Sequence, residues 1–143
     1  MKDLFIPYQQ ALALKELGFN KPCLTYYFSD GVFNDATEED DTLYPGDPRF
    51  YSDTNSSLAK YLEDELKYKA IAAPLYQQAF GFFREKYGYC VTIKKCTPSE
   101  YKFEIEQLFA EGDNYYFIDF VFKSHKEAEL ACLEKLIEIV KTK

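Results

Sequence analysis

The sequence predicts an α+β fold: a small antiparallel sheet of three to four strands packed against helices, with an α-β-β-β-α core in the C-terminal half. Three observations predict it. Residues 74–87 and 124 onwards carry apolar side chains at helical spacing. Between them lie three short segments, 90–95, 101–106 and 115–122, rich in β-branched and aromatic residues or strictly alternating. Gly88 stops the first of these helices, and Glu111-Gly112-Asp113-Asn114 is a hairpin-like turn between the last two strands. The chain of 143 residues reads as a single domain, 1–143, long enough for a real core.

Taken in order, the first element is a helix over 7–17. Pro7 suits its first turn, where a missing N–H is no loss, and Ala11, Leu14 and Leu17 share a face. Gly18 is a left-handed stop that lets Phe19 fold back onto Leu14, the Schellman pattern. Residues 23–28 read as a strand, with Leu24, Tyr26 and Phe28 on one side. Ser29-Asp30-Gly31 is a turn, and it opens an acidic, turn-rich excursion over about 30–57. Seven acids from Asp30 to Asp47 have no base between them, so this segment repels itself and is expected to be the least ordered part of the chain. Leu58, Tyr61, Leu62 and Leu66 are spaced for a helix over 56–68, which 69–73 breaks because Pro74 disfavours helix before it.

The helix over 74–87 carries two neighbouring stripes, Leu75/Ala79/Phe82/Phe83 and Tyr76/Phe80/Phe83/Tyr87. In 101–106, Tyr101, Phe103 and Ile105 alternate with Lys102, Glu104 and Glu106, giving one dry and one wet face. The almost wholly apolar run 115–122 reads as a central strand covered on both faces. Ser124-His125-Lys126-Glu127 is a capping box, and the helix behind it is apolar on much of its circumference through Ala128, Ala131, Cys132, Leu133, Leu136, Ile137 and Val140.

Charge bounds the function. The net charge is −7, unevenly spread: residues 1–66 carry 13 acids and 5 bases, residues 67–143 carry 11 acids and 12 bases. An acidic chain is poorly suited to direct nucleic-acid binding, which needs a basic surface for phosphates. The four cysteines, Cys23, Cys90, Cys96 and Cys132, form no CxxC pair, and the opening residues carry no long apolar stretch. The expectation is a cytoplasmic chain with free thiols, no metal, no cofactor and no membrane span. No catalytic motif or phosphate loop stands out, so the expected function is non-enzymatic.

Among individual residues, Asp119 on the face of Phe117 and Val121 offers an acid or base, or else a strand-end acid paired with a nearby Lys or Tyr. His125 has no nucleophile at readable spacing and reads as a solvated helix-start residue. Cys90 and Cys96 flank a strand and read as core thiols. The ligand-binding candidates are Arg84, Lys94, Lys95, Tyr26, Tyr87, Tyr89, Tyr115 and Tyr116. Arginine grips phosphate in a fixed fork, lysines add charge, and tyrosines stack on a base or ribose. Arg84 equally fits a solvated side chain paired with Glu85 or Glu100. The acid cluster Glu38-Glu39-Asp40-Asp41 fits a phosphate mimic, a hard-cation site or a solvated loop.

Several blocks resemble a known family. They are Ile6-Pro7-Tyr8 with Ala11-Leu12-Ala13-Leu14-Lys15-Glu16-Leu17-Gly18-Phe19, Lys21-Pro22-Cys23 and Tyr26-Tyr27; then Ala73-Pro74-Leu75-Tyr76-Gln77-Gln78-Ala79-Phe80 with Phe83-Arg84-Glu85-Lys86-Tyr87-Gly88; and the ending from Glu127 to Val140. These are similar to a group of small proteins encoded mainly by phages and prophages of gut bacteria. The likeness covers both ends and the middle but not the acidic excursion. It implies a source and not a mechanism, and a phage source favours interference with host machinery or host defence. The α-β-β-β-α order also resembles the topology of a double-stranded RNA-binding domain. Here, though, Glu127 and Glu129 interleave where that module places lysines, leaving only Lys126.

Two functions are therefore expected. One is a phage-type binding protein, a counter-defence factor that sequesters a small anionic, nucleotide-like signal, as a homo-oligomer. The alternative is an acidic protein–protein inhibitor of a host enzyme.

Overall fold

A computed structural model describes residues 2–28, 30–33, 70–108, 115–117 and 120–142. Most of the acidic excursion, the expected helix over 56–68, the turn 111–114 and Asp119 lie outside the described residues. The fold is α+β, with two small antiparallel sheets, and the chain divides into two compact units, Met1–Gln78 and Ala79–Lys143.

In the first unit a short 3-10 turn, Lys2–Leu4, leads into α1, Tyr8–Glu16. Pro7 precedes α1 in extended conformation with no side-chain cap. The other end follows the Schellman pattern. Gly18 has φ 92°, Gly18 N donates to Lys15 O at 3.0 Å, and Phe19 N donates to Leu14 O at 2.9 Å. Leu14 and Phe19 are both fully buried. β1, Tyr26–Phe28, pairs with β2, Ala70–Ala72, with Tyr27 opposite Ile71, while Phe33 bridges to Tyr27 from β1's other side. The interior side of this stretch is the odd one, Cys23, Thr25 and Tyr27, and Leu24 is exposed. The Tyr27 hydroxyl donates to Ile6 O at 2.7 Å, which satisfies the polar end of a buried ring. Ile6 N donates to Pro74 O at 2.9 Å, and α1 packs on β2.

α2, Tyr76–Tyr87, begins where the Gln78 side chain accepts from Leu75 N at 2.9 Å, and its Nε2 donates to Pro22 O at 2.8 Å. It ends at Gly88, whose φ of 73° only glycine adopts without strain.

In the second unit β3, Tyr89–Thr97, and β4, Glu100–Gln107, form a long hairpin. β5, Tyr115–Phe117, adds to β4, giving the antiparallel order β3-β4-β5. Phe103 and Ile105 are buried while Lys102, Glu104 and Glu106 line the wetter face, as their alternation predicts. The expected central strand 115–122 is corrected: among the described residues β4 is central and β5 lies at the edge. An apolar run shows that side chains avoid water, not that strands flank it on both sides. Phe120 is in fact 73% exposed. Between the pair Glu104/Phe117 and the bridge Tyr101/Phe122, β4 advances three residues while the opposing chain advances five, an irregularity of two extra residues.

α3, His125–Lys141, packs on β4 and β3 through Ala128, Cys132, Leu133, Leu136 and Ile139. Ser124 caps it, accepting from Glu127 N at 3.2 Å. Glu127 reaches back as its spacing predicts, but to Lys123 N at 3.1 Å, one residue earlier than the usual box.

Candidate functional site

The described residues bring one cation and two aromatic rings together at the far end of the β3–β4 hairpin. Lys95 stands opposite Tyr101 in the ladder, so both side chains leave the same face of the sheet. Lys95 Nζ lies 5.8 Å from the Tyr101 ring centroid, a cation–π distance. Tyr101 is also tied to the segment entering α3: Tyr101 N donates to Phe122 O at 2.8 Å and Phe122 N donates back at 2.9 Å. That pair of hydrogen bonds places the first residue of α3 beside the hairpin. The His125 ring meets Tyr101 edge-on, with centroids 5.9 Å apart and planes at 90°. His125 Nδ1 lies 3.5 Å from Glu129 Oε2, one turn along the helix. His125 is exposed, so the cluster opens to solvent.

Among the described residues Lys95 is thus the one cationic candidate with an aromatic face beside it. Lys94 leaves the opposite face of β3, where its Nζ holds Glu104 at 2.8 Å. Such an exposed pair contributes about 0–1 kcal/mol and is easily exchanged for a ligand. Arg84 is exposed in the last turn of α2, its guanidinium close to Gly81. The run from Tyr89 to Lys94 spans roughly 17 Å, so Lys94 and Lys95 stand toward the opposite end of β3 from the helix end that carries Arg84. Tyr87 packs edge-on against Phe82 with centroids 5.9 Å apart, and Lys86 Nζ sits 5.4 Å from its ring. Tyr89 is 1% exposed and serves the core, so it offers a ligand no ring face. Tyr26 belongs to the first unit, edge-on to Phe28 at 5.4 Å. Tyr115 and Tyr116 stand in register opposite Glu106 and Ile105.

From sequence Tyr101 reads only as a strand residue and His125 only as a solvated helix-start residue, neither as a site residue. The signal for Tyr101 was the hairpin register, which sets it across from Lys95. The signal for His125 was weaker, because its neighbour depends on the Tyr101/Phe122 bridge.

The four cysteines are free thiols. Burial pushes Cys23 up to about 12, and burial with the Glu129 charge beside it raises Cys132, so both stay protonated and inert. Cys96 is exposed and Cys90 half-buried, so Cys96 is not the core thiol its sequence setting suggested. Among the described residues no group of three His, Cys, Asp or Glu is placed to hold a metal ion, and no helix is long and apolar enough to cross a membrane. No family model matches the chain, and comparison with curated proteins and with solved structures finds no match.

Proposed function

We propose that this chain is a non-enzymatic binding protein of phage type that captures a small anionic, nucleotide-like ligand in the host cytoplasm and so blunts a defence signal. The observation that carries this reading is the solvent-open Lys95–Tyr101–His125 cluster. A nucleotide needs a charge partner for its phosphate and a ring partner for its base or ribose. Lys95 swings from the Tyr101 ring to the phosphate, His125 adds a second donor, and the vacated ring face takes the stacked group. Arg84, with Tyr87 beside it, and Lys94 remain further phosphate partners for a ligand that reaches them within a homo-oligomer.

Thermal shift against a panel of mono-, di- and cyclic nucleotides tests it. A ligand at 100 times its Kd adds ~2.7 kcal/mol of stability. Calorimetry then assigns the site. Lys95→Ala and Tyr101→Ala are expected to weaken binding at least tenfold, and unchanged affinity in Arg84→Ala removes that residue from the site. A panel with no response sinks the reading and favours the second one, an acidic inhibitor of a host enzyme. The run of seven acids from Asp30 to Asp47 without a base supports that alternative. Its test is neutralisation of Glu38, Glu39, Asp40 and Asp41 to the corresponding amides, which should then abolish inhibition.

A further inference from the structure

We propose that the outer edge of β3, which pairs with no strand among the described residues, is a self-association surface on which a second copy of this chain docks by antiparallel strand pairing. β3 is nine residues long and terminates the order β3-β4-β5. Its ladder decides which backbone groups are left over. Leu108 N donates to Gly88 O at 2.8 Å, so the even-numbered residues of this strand turn their N–H and C=O toward β4. Val91 and Ile93 therefore turn theirs the other way, and among the described residues neither has a further polar partner.

The side chains point to the same incompleteness. Val91 stands opposite Ile105 and Ile93 opposite Phe103. The two β4 residues are fully buried, yet Val91 and Ile93 are only half-buried. The apolar face of the sheet thus runs one strand beyond the cover it receives. Edge strands are normally guarded by lysines or bulges. Here Lys94, Lys95 and the bulge between Lys95 and Thr97 guard only the second half of β3. The first half, Tyr89-Cys90-Val91-Thr92-Ile93, carries no charge.

The edge is complementary to itself. A two-fold axis through Thr92 sets Thr92 opposite its own copy, and Val91 of each chain opposite Ile93 of the other. The outward N–H and C=O groups of both strands then meet in register, and two Val–Ile pairs close over the exposed apolar strip. On the other face, Lys94 of one copy falls opposite Cys90 of the second, whose neighbour in the ladder is Glu106. Lys94 and Lys102 of one chain thus line up with Glu106 of the other, with a single cysteine between the unlike charges. No like charges fall directly opposite each other in this register. The association does not depend on the ligand reading: a dimer that binds no nucleotide keeps this inference and loses that one.

Light scattering on the full chain, across a concentration series, tests it. The expected mass is 2 × 16.7 = 33.4 kDa. Thr92 is exposed, so Thr92→Lys leaves the monomer fold intact, checked by far-UV circular dichroism, and places like charges face to face at the axis. Val91→Pro removes an outward N–H without touching the bonds to β4. Both variants should fall to 16.7 kDa. A wild-type chain that stays at 16.7 kDa, or folded variants that keep 33.4 kDa, overturns the proposal.

Discussion

Raising the pH should unfold this protein through two thiols that never meet solvent. Cys23 is held at about 12 by burial, against about 9 in the unfolded chain, and Cys132 is raised by burial and by Glu129. The sign follows from proton counting. With native pKa values above the unfolded ones, the folded chain keeps protons that the unfolded chain releases. The stabilising effect is full below pH 9 and is lost as pH climbs from 9 toward 12. At pH 10 an unfolded thiol of pKa 9 gains RT ln(1 + 10), about 1.4 kcal/mol, which the protonated native thiol does not share. Two thiols together cost about 2.8 kcal/mol, a large share of a typical domain's stability. Urea unfolding at pH 7.5 and pH 10 measures this. With m about 2 kcal/mol/M, the wild-type midpoint should drop by about 1.4 M more than that of a Cys23→Ala, Cys132→Ala double variant. The cavities in that variant cost the same at both pH values, and tyrosine and lysine titration is common to both proteins, so the difference isolates the thiols. Equal losses in the two proteins would show that the thiols ionise freely in the native state and would refute the reasoning.

Leu136 is fully buried on α3, so Leu136→Ala should cost about 2–5 kcal/mol, the lost transfer energy of three carbons plus a cavity. A loss under 1 kcal/mol in chemical denaturation would place that helix face on the surface. Ser124→Ala removes the acceptor for Glu127 N and should cost about 1 kcal/mol, read as a lower melting temperature with unchanged spectra. Alkylation of the native chain followed by mass spectrometry should mark Cys96 first, with Cys23 and Cys132 modified only on unfolding.

What was legible in the sequence was whatever a local rule encodes. The Gly18 stop with Phe19 behind it, the Ser124 cap and the alternation along β4 each follow from a few neighbouring residues, and each stands in the structure. β2 was illegible because Ala70-Ile71-Ala72 has no strong strand signal of its own. It is a strand because Tyr26–Phe28, more than forty residues earlier, offers it a ladder. The apolar run after Asn114 misled for the complementary reason: its hydrophobicity said strand, while edge or centre is decided by topology. The last helix buries a narrower stripe than its composition suggests. Ala131, Ile137 and Val140 are half-buried, while Ile139, absent from the sequence-based core, is buried.

The candidate site divides along the same line. Period-two alternation alone separates Lys94 from Lys95, so the sequence already argued against both serving one ligand from one face. The pairing of Lys95 with Tyr101 needs the hairpin register, which a bulge at Lys95/Thr97 leaves intact up to that point. His125 needs more. The chain after β5 must take up two extra residues before Phe122 meets Tyr101, and only then does α3 start beside the hairpin. Without those two residues the regular ladder would set residue 120 opposite Tyr101. The helix cap would then lie two residues further along, past the end of the hairpin. The offset between the Glu104/Phe117 pair and the Tyr101/Phe122 bridge is therefore the feature that delivers an imidazole to the Lys95–Tyr101 pair. It sits in a run whose composition gives no sign of it.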